Sequence, residues 1–259
     1  CSSDVCASDM GYAGDPNART TNLDRLAGRS IDFRNAVSTC PVCCPYRASL
    51  LTGQYPLTHG VFLNDVPLGN EAPSIARVLI ETGYDTAYIG KWHLDGIDRG
   101  AFIPPERRQG FHFWRAYGCT HDYNNSFYYA DLDQKLEWEG YDAAAQTREA
   151  NSYIREHAGG RPFCLFLSWG PPHAPYHTAP ERFRAVVRAE DIRLRENVPE
   201  RFQNRAREDL AGYYAHIAAL DECLGEILAT LEASGIDRNT ILVFTSDHGD
   251  MLYSQGGQK

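Results

Sequence analysis

No apolar run in this chain approaches the roughly 20 residues that a membrane-crossing helix needs. The longest, such as Phe163-Cys164-Leu165-Phe166-Leu167, are of strand length. There is no lysine–arginine run either, and the net charge is −9. Both facts argue against a nucleic-acid surface, while leaving room for a few local cations to hold an anionic substrate. The eight cysteines, at positions 1, 6, 40, 43, 44, 119, 164 and 223, contain a single CxxC spacing, Cys40 to Cys43, with no second one to complete a knuckle. That argues against a disulfide framework and a zinc knuckle. Cys164 and Cys223 fall inside apolar periodic segments and are expected to be small buried hydrophobes. The first residues lack the basic-then-apolar pattern of a secretory leader. If a leader has been lost upstream, a periplasmic or secreted location is expected ahead of a cytoplasmic one. Internal repeats and low-complexity tracts are absent.

What remains is a chain of 259 residues, long enough to bury one large core. Residues 22–26 read as a short helix capped by Thr20, Thr21 or Asn22, and Ile31 to Val37 alternate as a strand does. Ile75, Val78, Leu79 and Ile80 predict a helix over 72–83 with Gly83 as its stop. A short buried strand over 86–89 follows. Residues 95–142 are dense in aromatic, glycine and charged residues, which predicts an ordered loop on the substrate side. Then come a helix over 143–157, a strand over 163–168 and a polar surface excursion over 180–203. The longest helix is expected over 209–231, with His216 packed or exposed beside its apolar stripe. Ile241 to Thr245 read as a fully apolar strand. Strands alternating with helices predict an α/β fold with a mainly parallel central sheet flanked by helices.

Polar clusters sit where such a sheet delivers them. Cys43-Cys44-Pro45-Tyr46-Arg47 opens a helix-like segment, where backbone N–H groups and the helix dipole favour an anion or a low-pKa thiol. Arg47 adds a guanidinium suited to sulfate or phosphate oxygens. Lys91 and His93 follow one strand, His173 another, and Asp247-His248 a third. In open α/β sheets ligands bind at those carboxyl ends. Together these groups supply a metal-ligand pair, several cations and a nucleophile, which is what hydrolysis of an anionic ester requires.

The motifs resemble those of the type I sulfatases of the alkaline-phosphatase superfamily. Cys43-Cys44-Pro45-Tyr46-Arg47, with Leu50, Thr52 and Gly53 after it, is similar to the family's C-x-P-x-R signature. Thr21-Asn22-Leu23-Asp24-Arg25-Leu26-Ala27, Gly90-Lys91-Trp92-His93, Pro172-His173-Ala174-Pro175 and Thr245-Ser246-Asp247-His248-Gly249-Asp250 follow in the family's order. The resemblance implies that a separate formylglycine-generating enzyme oxidises Cys43 to formylglycine. One hydroxyl of the aldehyde hydrate then attacks sulfur, the alcohol leaves, and the other hydroxyl expels sulfate as the aldehyde reforms. It implies a metal site of Cys43, Asp247 and His248, with calcium expected and magnesium the alternative. Arg47 is expected to hold the hydrate, Lys91 to bind sulfate oxygens, His173 to protonate the leaving alcohol and His93 to take a proton during sulfate release. His121 and Asp122 are expected to contact the sugar or alcohol, because they lie in the aromatic loop.

Two places depart from the family pattern. Its first strand ends in adjacent aspartates, where this chain has Ser3 and Asp4. Asp4 is therefore the expected remaining metal ligand, with Asp9 as competitor if the loop is shortened. Lys259 stands about where the family has a further sulfate-binding lysine. The expectation is an N-terminal catalytic domain over 1–259, incomplete at both ends and without the C-terminal subdomain. Three functions follow: hydrolysis of a sulfated carbohydrate or small alcohol, hydrolysis of a phosphate or phosphonate monoester, and an inert relative.

Overall fold

Three parallel strands hold the centre of the computed structural model, which describes residues 7–257. The elements run as follows: α1 (Thr21–Ala27), α2 (Cys43–Thr52), α3 (Pro56–His59), α4 (Ile75–Glu81), β1 (Asp85–Lys91), β2 (Phe113–Tyr117), β3 (Phe127–Tyr128), β4 (Leu136–Glu137), α5 (Asp142–His157), β5 (Phe163–Ser168), α6 (Glu181–Arg184) and α7 (Gln203–Ala233). The sheet order is β2-β1-β5, with Gly90 level with Ser168 and Lys91 level with Tyr117. β3 and β4 pair separately as a small antiparallel ribbon.

A parallel strand buried on both faces needs apolar side chains on both. β1 has them. Tyr88 enters an aromatic cluster with Trp92, Phe111, Trp114 and Phe166, at centroid separations of 4.9, 5.2, 5.5 and 6.2 Å. Ile89 faces the other way, against Trp138, Ala145 and Ala150 of a cluster that includes α5. The largest cluster lies on α7, where Leu210, Tyr213, Ile217, Leu220, Leu224, Ile227, Leu228 and Leu231 are buried against Met10, Leu23, Ile154 and Trp169. Each such aliphatic side chain contributes about 1.5–3 kcal/mol on leaving water.

The short helices obey local rules. Ser74 Oγ accepts the Ala76 N–H at the start of α4, and Gly83, at φ +88°, follows its end. α7 is longer than its apolar stripe predicts, starting at Gln203. His216 is buried in it, with Tyr141 Oη 2.7 Å from Nδ1, and burial pushes its pKa down to about 3. Cys223 is buried as expected, whereas Cys164 is only half-buried on β5.

Three segments differ from the sequence expectation. Residues 31–37 form no strand, and Ile31 and Val37 are 81% and 85% exposed. Their alternation finds no ladder partner among the described residues. Residues 241–245 are extended without strand pairing: Ile241 and Val243 are exposed, while Leu242 and Phe244 pack on the α7 cluster. The period-two pattern is therefore real, but only one face is covered. The polar stretch 180–203 is more than a surface excursion, because Val187, Ile192 and Val198 are buried.

Candidate active site

α2 begins at Cys43 without a side-chain cap from Val42. Asn64 Oδ1 instead accepts the Cys44 N–H at 3.0 Å, and Pro45 occupies the first turn, where its missing N–H costs nothing. Arg47 follows Cys43 by one turn and so shares its face of the helix. It is buried, donating to the Lys91 carbonyl at 2.9 Å, Ser168 Oγ at 2.8 Å and Asp247 Oδ2 at 3.3 Å. Burial lowers its pKa, but Asp247 together with Tyr88 and Cys43 outweighs this, so it stays charged.

The strand ends meet this helix start because Gly90 permits it. With φ at +103°, an added Cβ would sit 2.1 Å from the Ser168 carbonyl oxygen, so no other residue fits there. Lys91 is the last residue of β1 rather than one beyond it, and is buried with Nζ 3.7 Å from Cys43 Sγ. The Lys91 carbonyl also accepts from Tyr88 Oη at 2.7 Å. His93, at φ +56°, sets Nε2 3.3 Å from Asp65 Oδ1. Arg99 clasps that carboxylate at 2.8 and 2.6 Å and holds Asp65 below the usual carboxylate range.

From the third polar cluster, Asp247 and His248 are buried beside Cys43. His248 Nδ1 lies 3.0 Å from the Gly249 carbonyl, which can only accept, so Nδ1 carries the proton. Nε2 faces Cys43 Sγ at 3.3 Å, accepting from a thiol when the ring is neutral and donating to a thiolate when the ring is doubly protonated. Burial raises the Cys43 pKa, but Lys91, followed by His248 and His93, outweighs it and brings the thiol down to about 4. Position 43 is thus a site for negative charge. In a mature formylglycine enzyme its Sγ stands in for the oxygens of the aldehyde hydrate.

Cys43 Sγ, an Asp247 oxygen and a His248 ring nitrogen lie within 4.8 Å of one another. One carboxylate, one imidazole lone pair and the position-43 side chain fit one side of a divalent cation, leaving further positions for oxygen ligands. Asp9 is not in this group. It is buried elsewhere, accepting from Tyr213 Oη at 2.8 Å and from Arg195, which removes it as a competing ligand. Asp4, Ser3 and Lys259 lie outside the described residues.

His173 and His121 form a second polar group. Their rings stack at 4.2 Å with planes 6° apart, and His173 Nδ1 lies 2.7 Å from the Ala174 carbonyl. Cys119 Sγ lies 3.7 Å from His121 Nε2. Asp122 is exposed and spends its carboxylate on the turn to Asn125. Beneath both groups Tyr117, Ser126, Asp142 and Gln146 are fully buried, and burial pushes Asp142 up to about 8 against the opposing pull of Ser126. Asn64, Asp65, Arg99, Ser168 and Asp142 were not found from sequence.

A family model described as Sulfatase matches residues 1–259. The chain belongs to the sulfatase family. It is 47% identical over 245 residues to an ulvan-active sulfatase of Formosa agariphila, covering 94% of this chain and 48% of that one. An endo-4-O-sulfatase of Bacteroides thetaiotaomicron is 29% identical over 95% of this chain and 54% of its own length. The solved structure of the candidate sulfatase yidJ from Bacteroides fragilis superposes with a TM-score of 0.92 at 31% identity, over 99% of this chain and 62% of that one. The chain therefore spans about half the length of the curated relatives it matches. The parallel sheet flanked by helices is the alkaline-phosphatase-like fold of these sulfatases. Membership generally implies a metal and a formylglycine made from cysteine, and the Cys43–Asp247–His248 cluster agrees with both.

Proposed function

We propose that the protein hydrolyses a sulfate ester of a carbohydrate, with Cys43 matured to formylglycine by a dedicated enzyme. The observation that carries this is the buried contact of position 43 with Lys91 and His248, while Arg47 binds Asp247 behind it. Such an assembly pre-organises positive charge where a sulfate group gains negative charge during attack. The 47% identity to an ulvan-active sulfatase supports a sulfated polysaccharide as the substrate class.

Calcium, with magnesium as the alternative, would be held by Asp247, His248 and position 43, polarising the sulfate while the formylglycine supplies the nucleophilic hydroxyl. The chain's own residues do the rest. Lys91, buried and kept protonated chiefly by Cys43 against the lowering effect of burial, binds sulfate oxygens. Arg47 fixes Asp247 and the ends of β1 and β5 with one guanidinium. His173, its Nδ1–H engaged by the Ala174 carbonyl, has Nε2 as the atom that, in the imidazolium form, donates a proton to the leaving alcohol and is left neutral. His121 stacks on that ring at the substrate side, and Asp122 shapes the turn beside it. A periplasmic or secreted location suits a polysaccharide substrate.

The test uses the full-length protein. Peptide mass spectrometry should find formylglycine at position 43, and metal analysis should find a bound divalent cation whose removal by chelator abolishes sulfate release from sulfated oligosaccharides. Faster turnover of an aryl phosphonate ester than of the aryl sulfate would replace this reading with phosphorus chemistry. A folded protein with unmodified Cys43 and no metal would mark it as inert.

A further inference from the structure

Cys43 and Cys44 open the same helix but face different partners. The Cys44 thiol donates to the His93 carbonyl at 2.8 Å, and its sulfur accepts the Asp65 N–H at 3.4 Å. Both of those residues are left-handed, Asp65 at φ +65° and His93 at φ +56°, a region that non-glycine residues rarely occupy. One sulfur thus pins two unusual backbone positions, and between them their side chains meet at 3.3 Å. The Asp65 carboxylate can only accept, so the proton in that contact belongs to His93 Nε2. Nδ1 is then left bare. It is buried and makes no hydrogen bond, in a ring whose side chain interacts with Cys43. Arg99 holds Asp65 from the other side with two bonds.

We infer that Asp65 is a positioning residue: anchored by Arg99 and Cys44, it keeps the Nε2–H tautomer of His93 so that Nδ1 presents its lone pair to position 43 as a proton acceptor. This rests on the sulfatase reading for its kinetic consequence, but not for the tautomer itself. Asp65 is one step removed from the reacting atoms, like a carboxylate that orients a catalytic or metal-bound histidine. Loss of such a partner costs about tenfold to a hundredfold in activity.

The experiment compares the full-length protein with Asp65→Asn and Arg99→Gln. Asparagine tolerates the left-handed backbone, so the fold and the Cys44 contact are kept. Nitrogen-15 NMR of histidine-labelled protein should show His93 protonated on Nε2 and bare on Nδ1, with Asp65→Asn shifting the proton toward Nδ1. In kinetics, kcat of Asp65→Asn should fall about tenfold to a hundredfold with KM little changed, and Arg99→Gln should fall less. A wild-type proton on Nδ1, an unchanged tautomer in Asp65→Asn, or an unchanged kcat would each overturn the inference. If the wild type releases no sulfate, the functional reading fails while the NMR comparison still decides the tautomer.

Discussion

Replacing Arg47 with alanine tests whether one guanidinium holds the site together. The side chain is 6% exposed and its partner carboxylate, Asp247, is fully buried. Removing it takes the guanidinium from that carboxylate, which keeps the His248 N–H at 3.1 Å, and breaking a buried pair from one side costs about 3–5 kcal/mol. Ser168 Oγ loses its donor, worth about 1 kcal/mol. The Lys91 carbonyl adds little, because Tyr88 Oη still donates to it. The dominant contribution is therefore Asp247, and it depends on what else neutralises that charge. Guanidinium unfolding of the full-length protein, followed by the fluorescence of buried Trp92, Trp114 and Trp169, should lose about 3–5 kcal/mol in chelator and less in excess calcium. Combined with Asp247→Asn, the double variant should be more stable than the sum of the single losses predicts, since the stranded charge is gone. A loss below about 1 kcal/mol in chelator, or additivity within about 0.5 kcal/mol, would refute the argument.

Other residues offer independent checks. Cys43→Ser should abolish sulfate release, measured by ion chromatography, while moving unfolding stability by less than about 1 kcal/mol, because the change is nearly isosteric. Persistent turnover would show that position 43 is not the nucleophile's source. Gly90→Ala forces a methyl group to within 2.1 Å of the Ser168 oxygen on a left-handed backbone, and should cost at least about 2 kcal/mol in denaturant unfolding together with activity. Wild-type stability in that variant would mean the strands can separate freely. Asp142 keeps its proton to about pH 8 when folded but loses it near 3.8 when unfolded. Across that window the unfolded state binds fewer protons, so this group's contribution to stability declines as pH rises. Unfolding measured from pH 4 to 8 should decline less steeply in Asp142→Asn, and parallel curves would rule the assignment out.

Motif residues were legible in the sequence because each stands at the end of an apolar segment: Lys91 ends β1, and Asp247 and His248 reach Cys43 too, although the segment before them pairs with no strand. Asp65 and Arg99 were not legible. Nothing in the local pattern of either distinguishes a site residue from a loop residue, and their role exists only through a pairing across 34 positions. Ser168 was hidden for the same reason, as an ordinary strand end until Arg47 reaches it. β2 was concealed by composition, since Arg115 within Phe113–Tyr117 interrupts the apolar run yet lies over Phe113 at 4.6 Å. Residues 241–245 show the converse, since their alternation sorts side chains between a covered and an open face without a strand forming, and residues 31–37 alternate yet lie wholly exposed: a strand also requires a neighbour to bond to.

The two-bond clasp of Arg99 on Asp65 bears on how such enzymes can be re-engineered. Residues 95–142 are the natural segment to exchange when a new sugar is to be accepted, and Arg99 lies within it. A transplant that omits an arginine there would carry new recognition into the cleft while unfastening His93 at its back. Chimeras that bind their new ligand well yet turn it over slowly would be repaired at position 99.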